Sequence, residues 1–402
     1  MALFSDFKKE NKKSDFFNEN ACFYVSNLLQ CLCNNKIDEY ERNWNLMSIK
    51  LFIPGPVDVS ADILEKLATT QISHRSKTAS ELQESISKKM QQLMYTKNTI
   101  ILSTSSGSGI MEMAIRSCTK KRAAVFSVGA FGDRWYKMAV TNNVPADYFK
   151  SEPGMPTTPE MVEEALKTGK YDVVTVTHNE TSSGLMNPVY EIGEVVKKYP
   201  DVVYLVDTVS SLGGAKVETD KCGIDVVLTS TQKCLGLPPG LSIAAISDKA
   251  YNRALTVENR GFYLDLVNVV NRARKDYQYP TTPSTPHMWA LDYQLDKILN
   301  VEGLDNRFDR HTHLAQIVRD WAEKHFELYA KDGYRSNTVT TIINTKGNSI
   351  AGLNKELGKR GFMISNGYGD LKEKAFRIAH MADRKEEDLL ALLSEIEDIW
   401  NL

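Results

Sequence analysis

Cysteine is scarce in this chain. Six occur in 402 residues (Cys22, Cys31, Cys33, Cys118, Cys222 and Cys234), with no CxxC pair and no HExxH. That spacing excludes a disulfide framework and supplies no metal-ligand cluster. Reduced thiols in a cytoplasmic compartment are expected. An excess of one charge is also missing. Lysine and arginine number 49 against 51 acids, for a net charge of −2. This argues against a dedicated binder of nucleic acid or of an anionic membrane, which would carry a basic excess. Long apolar runs are absent too. The longest near the start, ACFYVSNLLQCLC (21–33), is interrupted by Ser26, Asn27 and Gln30. It falls short of the roughly 20 residues a membrane span needs, and no clear small-residue cleavage site follows it. Neither a Walker loop nor a GxGxxG fingerprint is present, and there are no internal repeats.

What remains is ordinary for a globular protein: 42% apolar and 25% charged residues. The length allows two or three domains, or one large domain with a smaller partner. Residues 1–46 differ in texture, being rich in Asn and Lys (FKKENKKSDFFNEN). They are expected to be a disordered or non-core extension. Met47 opens MSIKLFIPGPV, which reads like a natural start. The preceding segment is then an upstream extension or an appended targeting segment.

From residue 50 onward, short apolar runs alternate with amphipathic stretches. The runs are TIILST (99–104), AAVFSV (123–128), DVVTVT (172–177), VVYLVD (202–207), DVVLTS (225–230) and LSIAAIS (241–247). Between them lie helical patterns such as 81–95, 108–118 and 158–169. Such alternation predicts an α/β fold with a mostly parallel sheet between helices. Near-continuous apolar runs predict strands buried on both faces. Beyond residue 290 a long helical segment (290–325) precedes strand candidates at 338–344 and 375–380. Helix candidates lie near 350–360 and at 385–400. The expected division is a large domain over 47–295 and a smaller C-terminal α+β domain over 296–402.

In such sheets, ligands bind outside the carboxyl ends of the strands. Three of those ends are unusual. TIILST runs into SSGSG (105–109) and then a helix. This is an N-cap with flexible turn residues, or an anion cradle of backbone N–H groups and hydroxyls. VVYLVD ends in Asp207, an acid that must be paired or solvated. It caps the next turn or holds a cationic group. DVVLTS leads to Lys233 before a Gly/Pro-rich loop. That lysine is a snorkelling surface residue or a desolvated amine suited to forming a Schiff base. Together, the three match what pyridoxal phosphate needs: a helix terminus for its phosphate, an acid for its ring nitrogen and a lysine for its aldehyde.

The chain resembles the class V, fold-type I aminotransferases, in the branch of alanine:glyoxylate and serine:pyruvate aminotransferases. The resemblance runs from about Leu51 to the C-terminus. It rests on PGPV (54–57), SHRS (73–76), SSGSGIMEMA (105–114), GAFGDRW (129–135), THNETSSGLMNP (177–188), VDTVSSLGG (206–214), STQKCLGLPPG (230–240), YPTTPST (279–285) and FRIAHM (376–381). It implies a PLP-dependent transaminase, a homodimer with shared active sites, and these roles. Lys233 would be the Schiff-base lysine and the base at Cα. Asp207 would pair with the pyridinium nitrogen. Ser106, Gly107, Ser108 and Gln232 would bind the phosphate, with Tyr279 and Thr282 reaching the phosphate of the neighbouring subunit. Thr181 would bond the phenolic oxygen. Phe131 would stack on the ring where several relatives have Trp. Arg377 would clamp the substrate carboxylate, and Gly55 would contribute backbone atoms at the substrate mouth.

Substrate choice is open at this level. With one carboxylate clamp, small neutral donors (alanine, serine) and small acceptors (glyoxylate, pyruvate) are expected. If His74, Arg75 or Arg134 enters the pocket, phosphoserine or aspartate becomes the alternative. Cysteine desulfurase chemistry is disfavoured, because no Cys follows the lysine at the distance that family requires. A catalytically inactive protein on the same fold would show a damaged site.

Overall fold

The computed structural model describes residues 49–402. The expectations for residues 1–46, and for Met47 as a start, lie outside the described residues. Lys50–Leu402 form one compact unit.

In chain order the strands are β1 Lys50–Phe52, β2 Thr99–Ser103, β3 Ala123–Ser127, β4 Ala146–Lys150, β5 Val173–Thr177, β6 Asn179–Glu180, β7 Leu185–Met186, β8 Val203–Asp207, β9 Val226–Ser230, β10 Ser242–Ile246, β11 Glu327–Leu328, β12 Val339–Ile343, β13 Phe362–Asn366 and β14 Ala375–Ala379. Seven of them form a large sheet in the order β2-β10-β9-β8-β5-β3-β4. All neighbours are parallel except β10, which runs antiparallel to both β2 and β9. The carboxyl ends of β2, β9, β8, β5 and β3 therefore share one edge.

Every residue of β3, β5, β8, β9 and β10 is buried. The reason is helices on both faces. One face carries Phe126, Val174, Val176, Tyr204, Val206 and Ile243, packed on residues of helices Lys77–Leu93, Pro159–Lys167, Val189–Val196 and Thr285–Asp296. The other carries Val125, Val173, Val203, Leu205, Leu228 and Ala244, against helices Gly107–Cys118, Ala130–Thr141, Asp248–Leu255 and Leu266–Asp276. Successive strand residues point to opposite faces. A strand covered twice must be apolar at both, which is why these runs do not alternate with polar residues.

The second sheet has the order β1-β13-β14-β12-β11. Only β1 pairs in parallel there, with β13. Helices Leu304–His325, Ile350–Lys359 and Glu386–Trp400 close its core around Phe326, Phe376 and Trp400. One strand of this sheet thus comes from the opposite end of the sequence from the other four.

One expectation is corrected. Residues 290–325 are not one helix. Helix Thr285–Asp296 runs into a wider helical turn at Lys297–Glu302, and Gly303 stops it at φ 81° before a new helix starts at Leu304. Left-handed backbone is a conformation glycine adopts without a Cβ penalty.

Candidate active site

The shared carboxyl edge of the large sheet holds a cavity of ≈ 200 Å³. Its walls come from the segments that end or leave five of the strands. Ser106, Gly107 and Ser108 follow β2, and Phe131 and Arg134 follow β3. Asn179 and Thr181 follow β5, while Asp207, Val209 and Ser210 end or follow β8. Ser230, Gln232 and Lys233 end or follow β9. Of the residues singled out from sequence, Ser106, Gly107, Ser108, Phe131, Thr181, Asp207, Gln232 and Lys233 meet around this one space.

Helix Gly107–Cys118 begins at the cavity with Ser106 as its N-cap, and the Ser106 side chain makes no capping hydrogen bond. The first amides of a helix lack intrahelical partners and carry its positive dipole end. A Cβ on Gly107 would meet Val209 Cγ2 at 2.5 Å, so the backbone alone fits there. Buried side-chain atoms around the cavity also lack partners, namely Ser230 Oγ, Gln232 Oε1 and Asn179 Oδ1. Unpaired buried polar atoms are costly unless a ligand or water meets them. The free N–H groups of the helix start and the Ser230 hydroxyl are donors that fit an anion of phosphate type, whereas the Gln232 and Asn179 amide oxygens are acceptors.

Asp207 ends β8 and is buried. Its Oδ1 accepts a hydrogen bond from the Val209 N–H at 2.8 Å. Burial pushes its carboxyl up to about 6, against the pull of that hydrogen bond and with the Glu180 charge adding to the rise. Such a carboxyl is poised to meet a cation. Lys233 donates its amine to the Pro54 carbonyl. Burial pushes this amine down to about 8, so it is far more readily neutral than a surface lysine. A Cβ on Gly55 would sit 2.7 Å from Lys233 Nζ, which is why glycine stands beside it. An anion cradle, an acid and a neutralisable amine together fit pyridoxal phosphate.

Arg377, in β14, does not line the cavity but stands next to it. Its Nη1 donates to the Thr181 carbonyl at 3.0 Å, and Nε and Nη2 each donate to the Asn366 carbonyl at 3.1 Å. Tyr279 and Thr282 also lie outside the lining. Tyr279 is buried with its hydroxyl unpartnered, and Thr282 is exposed. Of the three candidate second cations, only Arg134 reaches the cavity. It donates to Ser108 Oγ at 2.9 Å and lies over the Phe131 ring at 4.6 Å. Arg75 is spent on the loop bearing Tyr279: it donates to Gln278 Oε1 and to the carbonyls of Tyr279 and Pro280. His74 does not line the cavity.

Sequence reading missed two residues that hold the site together. Glu180 is fully buried and accepts from the N–H groups of Phe131 and Gly132 at 3.0 Å each. It also accepts from the N–H and hydroxyl of Ser182. It therefore joins the wall that carries Phe131 to the wall that carries Thr181. Arg307 is 1% exposed and donates to the carbonyls of Gly213 and Cys234 at 2.7 Å each, and to Glu302 and Asp383. It ties the loop after Asp207 to the loop holding Lys233. Neither residue has a distinctive sequence pattern, although Glu180 stands inside THNETSSGLMNP. Among the described residues no group of His, Cys, Asp and Glu could hold a metal ion, and no helix is long and apolar enough to cross a membrane.

A family model described as aminotransferase class V matches residues 62–372. An uncharacterised aminotransferase of Methanocaldococcus jannaschii is 40% identical over 355 residues, covering 86% of this chain and 91% of the relative. Alanine–glyoxylate aminotransferase of Oryctolagus cuniculus is 30% identical, covering 84% and 89%. Among solved structures, alanine–glyoxylate aminotransferase from Nostoc sp. superposes with a TM-score of 0.82 at 25% identity, covering 88% of this chain and 95% of that one.

Proposed function

Because the chain belongs to the class V aminotransferases, whose coenzyme is pyridoxal 5′-phosphate, we propose that it moves an amino group from alanine or serine to glyoxylate or pyruvate. The observation that carries this is the cavity itself. One lysine, one acid and an anion cradle face it, and its single extra cation, Arg134, is already engaged by Ser108 and the Phe131 ring. Among the described residues no cation beyond Lys233 and Arg134 lines the cavity to demand an acidic side chain. Two relatives similar to this chain bear the name alanine–glyoxylate aminotransferase, which supports the same choice.

When bound, the coenzyme supplies the electron sink for a carbanion at Cα. The chain does the rest. Ser106, Gly107, Ser108 and Gln232 hold the phosphate. Asp207 would keep a proton on the ring nitrogen, and that cation would favour its ionised carboxylate. Thr181 would bond the coenzyme's phenolic oxygen and Phe131 would stack on its ring. Arg377 grips the donor's carboxylate, and Gly55 lines the mouth. Lys233 would hold the coenzyme's aldehyde, and its amine, once displaced by the donor's amino group, would take the donor's Cα proton. The acceptor follows after the first product leaves, in a ping-pong order. Thr282, which is exposed, would serve the phosphate of a second copy in a homodimer with shared sites, whereas the Tyr279 hydroxyl is enclosed in its own subunit and would reach that phosphate only if the loop shifts on pairing. A cytoplasmic setting belongs to the same reading.

A second reading, an aspartate or phosphoserine donor, draws on Arg134 alone. It requires that guanidinium to leave Ser108 and Phe131.

Visible spectra and turnover test the assignments. A lysine-bound coenzyme absorbs near about 400 nm. Lys233→Ala should lose that band and all turnover. Asp207→Asn should keep the coenzyme yet lose turnover by about a hundredfold or more, the scale of a lost electrostatic group. Near-normal turnover of Asp207→Asn would refute its role.

A further inference from the structure

We propose that Tyr368 sets the upper size of the amino donor's side chain. The proposal rests on Arg377 as the carboxylate clamp.

Tyr368 lies in the connection between β13 and β14. Its ring centroid is 6.1 Å from that of Phe131, tilted by 42°. The Arg377 guanidinium carbon lies 5.7 Å from the same ring. Tyr368 does not line the cavity but stands at its side, next to both groups between which a donor must fit: the aromatic platform and the carboxylate grip. A donor held by Arg377, with its Cα presented to Lys233, lies beside this ring.

The direction of the grip follows from donor arithmetic. A guanidinium carries five N–H groups. Three are spent, on the Asn366 and Thr181 carbonyls. One N–H on each of Nη1 and Nη2 remains, the pair that takes a carboxylate end-on.

The support of Tyr368 is built rather than loose. Asn366 Oδ1 accepts from the N–H groups of Gly367 and Glu373 at 2.8 Å each. Glu373 in turn accepts from Ile350 N–H at 2.9 Å and Ala351 N–H at 3.2 Å, at the start of helix Ile350–Lys359. Gly367 is so close to Leu371 that a Cβ would meet its carbonyl oxygen at 2.0 Å. On this support Tyr368 is still 44% exposed. Among the described residues its hydroxyl has no hydrogen-bond partner, whereas Tyr148, Tyr171 and Tyr190 each bond an acid. A partly exposed ring that makes no hydrogen bond, on a loop held by its neighbours, acts through its bulk.

The test measures kcat/KM of the coenzyme-loaded enzyme for alanine and for phenylalanine, with glyoxylate as acceptor. Tyr368→Ala should raise the phenylalanine-to-alanine ratio by about tenfold or more, the scale of steric discrimination in such pockets. Tyr368→Leu should raise it less, and Tyr368→Phe should hold it within about twofold. An unchanged ratio in Tyr368→Ala overturns the proposal. So does Tyr368→Phe behaving like Tyr368→Ala, because the hydroxyl would then be responsible. Arg377→Lys tests the clamp separately. It should raise KM for both donors by about tenfold, since a single ammonium cannot replace the two-point grip. If KM stays the same, the clamp fails while the Tyr368 ratio remains readable.

Discussion

At the residue scale, the site depends on a carboxylate that does not line the cavity. Both oxygens of Glu180 accept, and three of the donors are backbone N–H groups of Phe131, Gly132 and Ser182. Burial pushes this carboxyl upward, and those hydrogen bonds pull it back. Glutamine keeps the shape but turns an NH₂ toward donors. Glu180→Gln should therefore lose about 1–3 kcal/mol of stability by urea unfolding, one buried pair left unmet. It should also bind the coenzyme more weakly, because Phe131 loses its anchor. Wild-type stability and affinity would contradict the role. Lys233 and Asp207 were legible in the sequence because a charged residue at the end of an apolar run demands an explanation. Glu180 was not, because its partners Phe131 and Gly132 are backbone amides 49 and 48 positions away.

At the element scale, patterning gave the central strands at nearly their observed bounds. Both faces of those strands are covered, and no other local structure suits such sequences. The pattern was silent where an element is half covered. β4, an edge strand, alternates partly buried and exposed residues, and β13 has one fully buried position. The break at Gly303 was also lost inside a continuous amphipathic pattern. Arg307 sits just beyond that break, and its placement is a matter of tertiary packing. Arg307→Met would leave Asp383 without its arginine and two loop carbonyls unpaired, while Glu302 keeps Arg310. Those acids retain some water, at 26% and 36% side-chain exposure, so the cost should be about 2–4 kcal/mol, below that of a fully buried pair. Turnover should fall more than coenzyme affinity, because the Cys234 carbonyl adjoins Lys233. A variant with unaltered kcat would show that Arg307 serves stability alone.

At the scale of the whole molecule, three buried histidines set an acid limit. Burial pushes His178 down to about 4 and His380 down to about 3, and His311 is lowered in the same direction. An unfolded histidine takes a proton near pH 6.5. Below that pH the unfolded chain binds protons the folded chain refuses, so their contribution to stability falls as pH falls. His380→Gln isolates one of them. Its stability deficit against the wild type should shrink by about 1.4 kcal/mol per pH unit below pH 6.5. A deficit independent of pH would mean His380 is already protonated in the fold. Composition alone could not indicate this, because seven histidines in 402 residues say nothing of burial.

The central claim joins these scales: one cavity, carrying one lysine, accepts a small neutral amino acid and passes its amino group on. The direct measurement mixes coenzyme-loaded protein with L-alanine, without any oxo acid, and follows the band near about 400 nm. The account predicts that the band disappears with release of one pyruvate per site, and that glyoxylate restores it. Persistence of the band with alanine and serine, together with its loss on adding aspartate or phosphoserine, would contradict it.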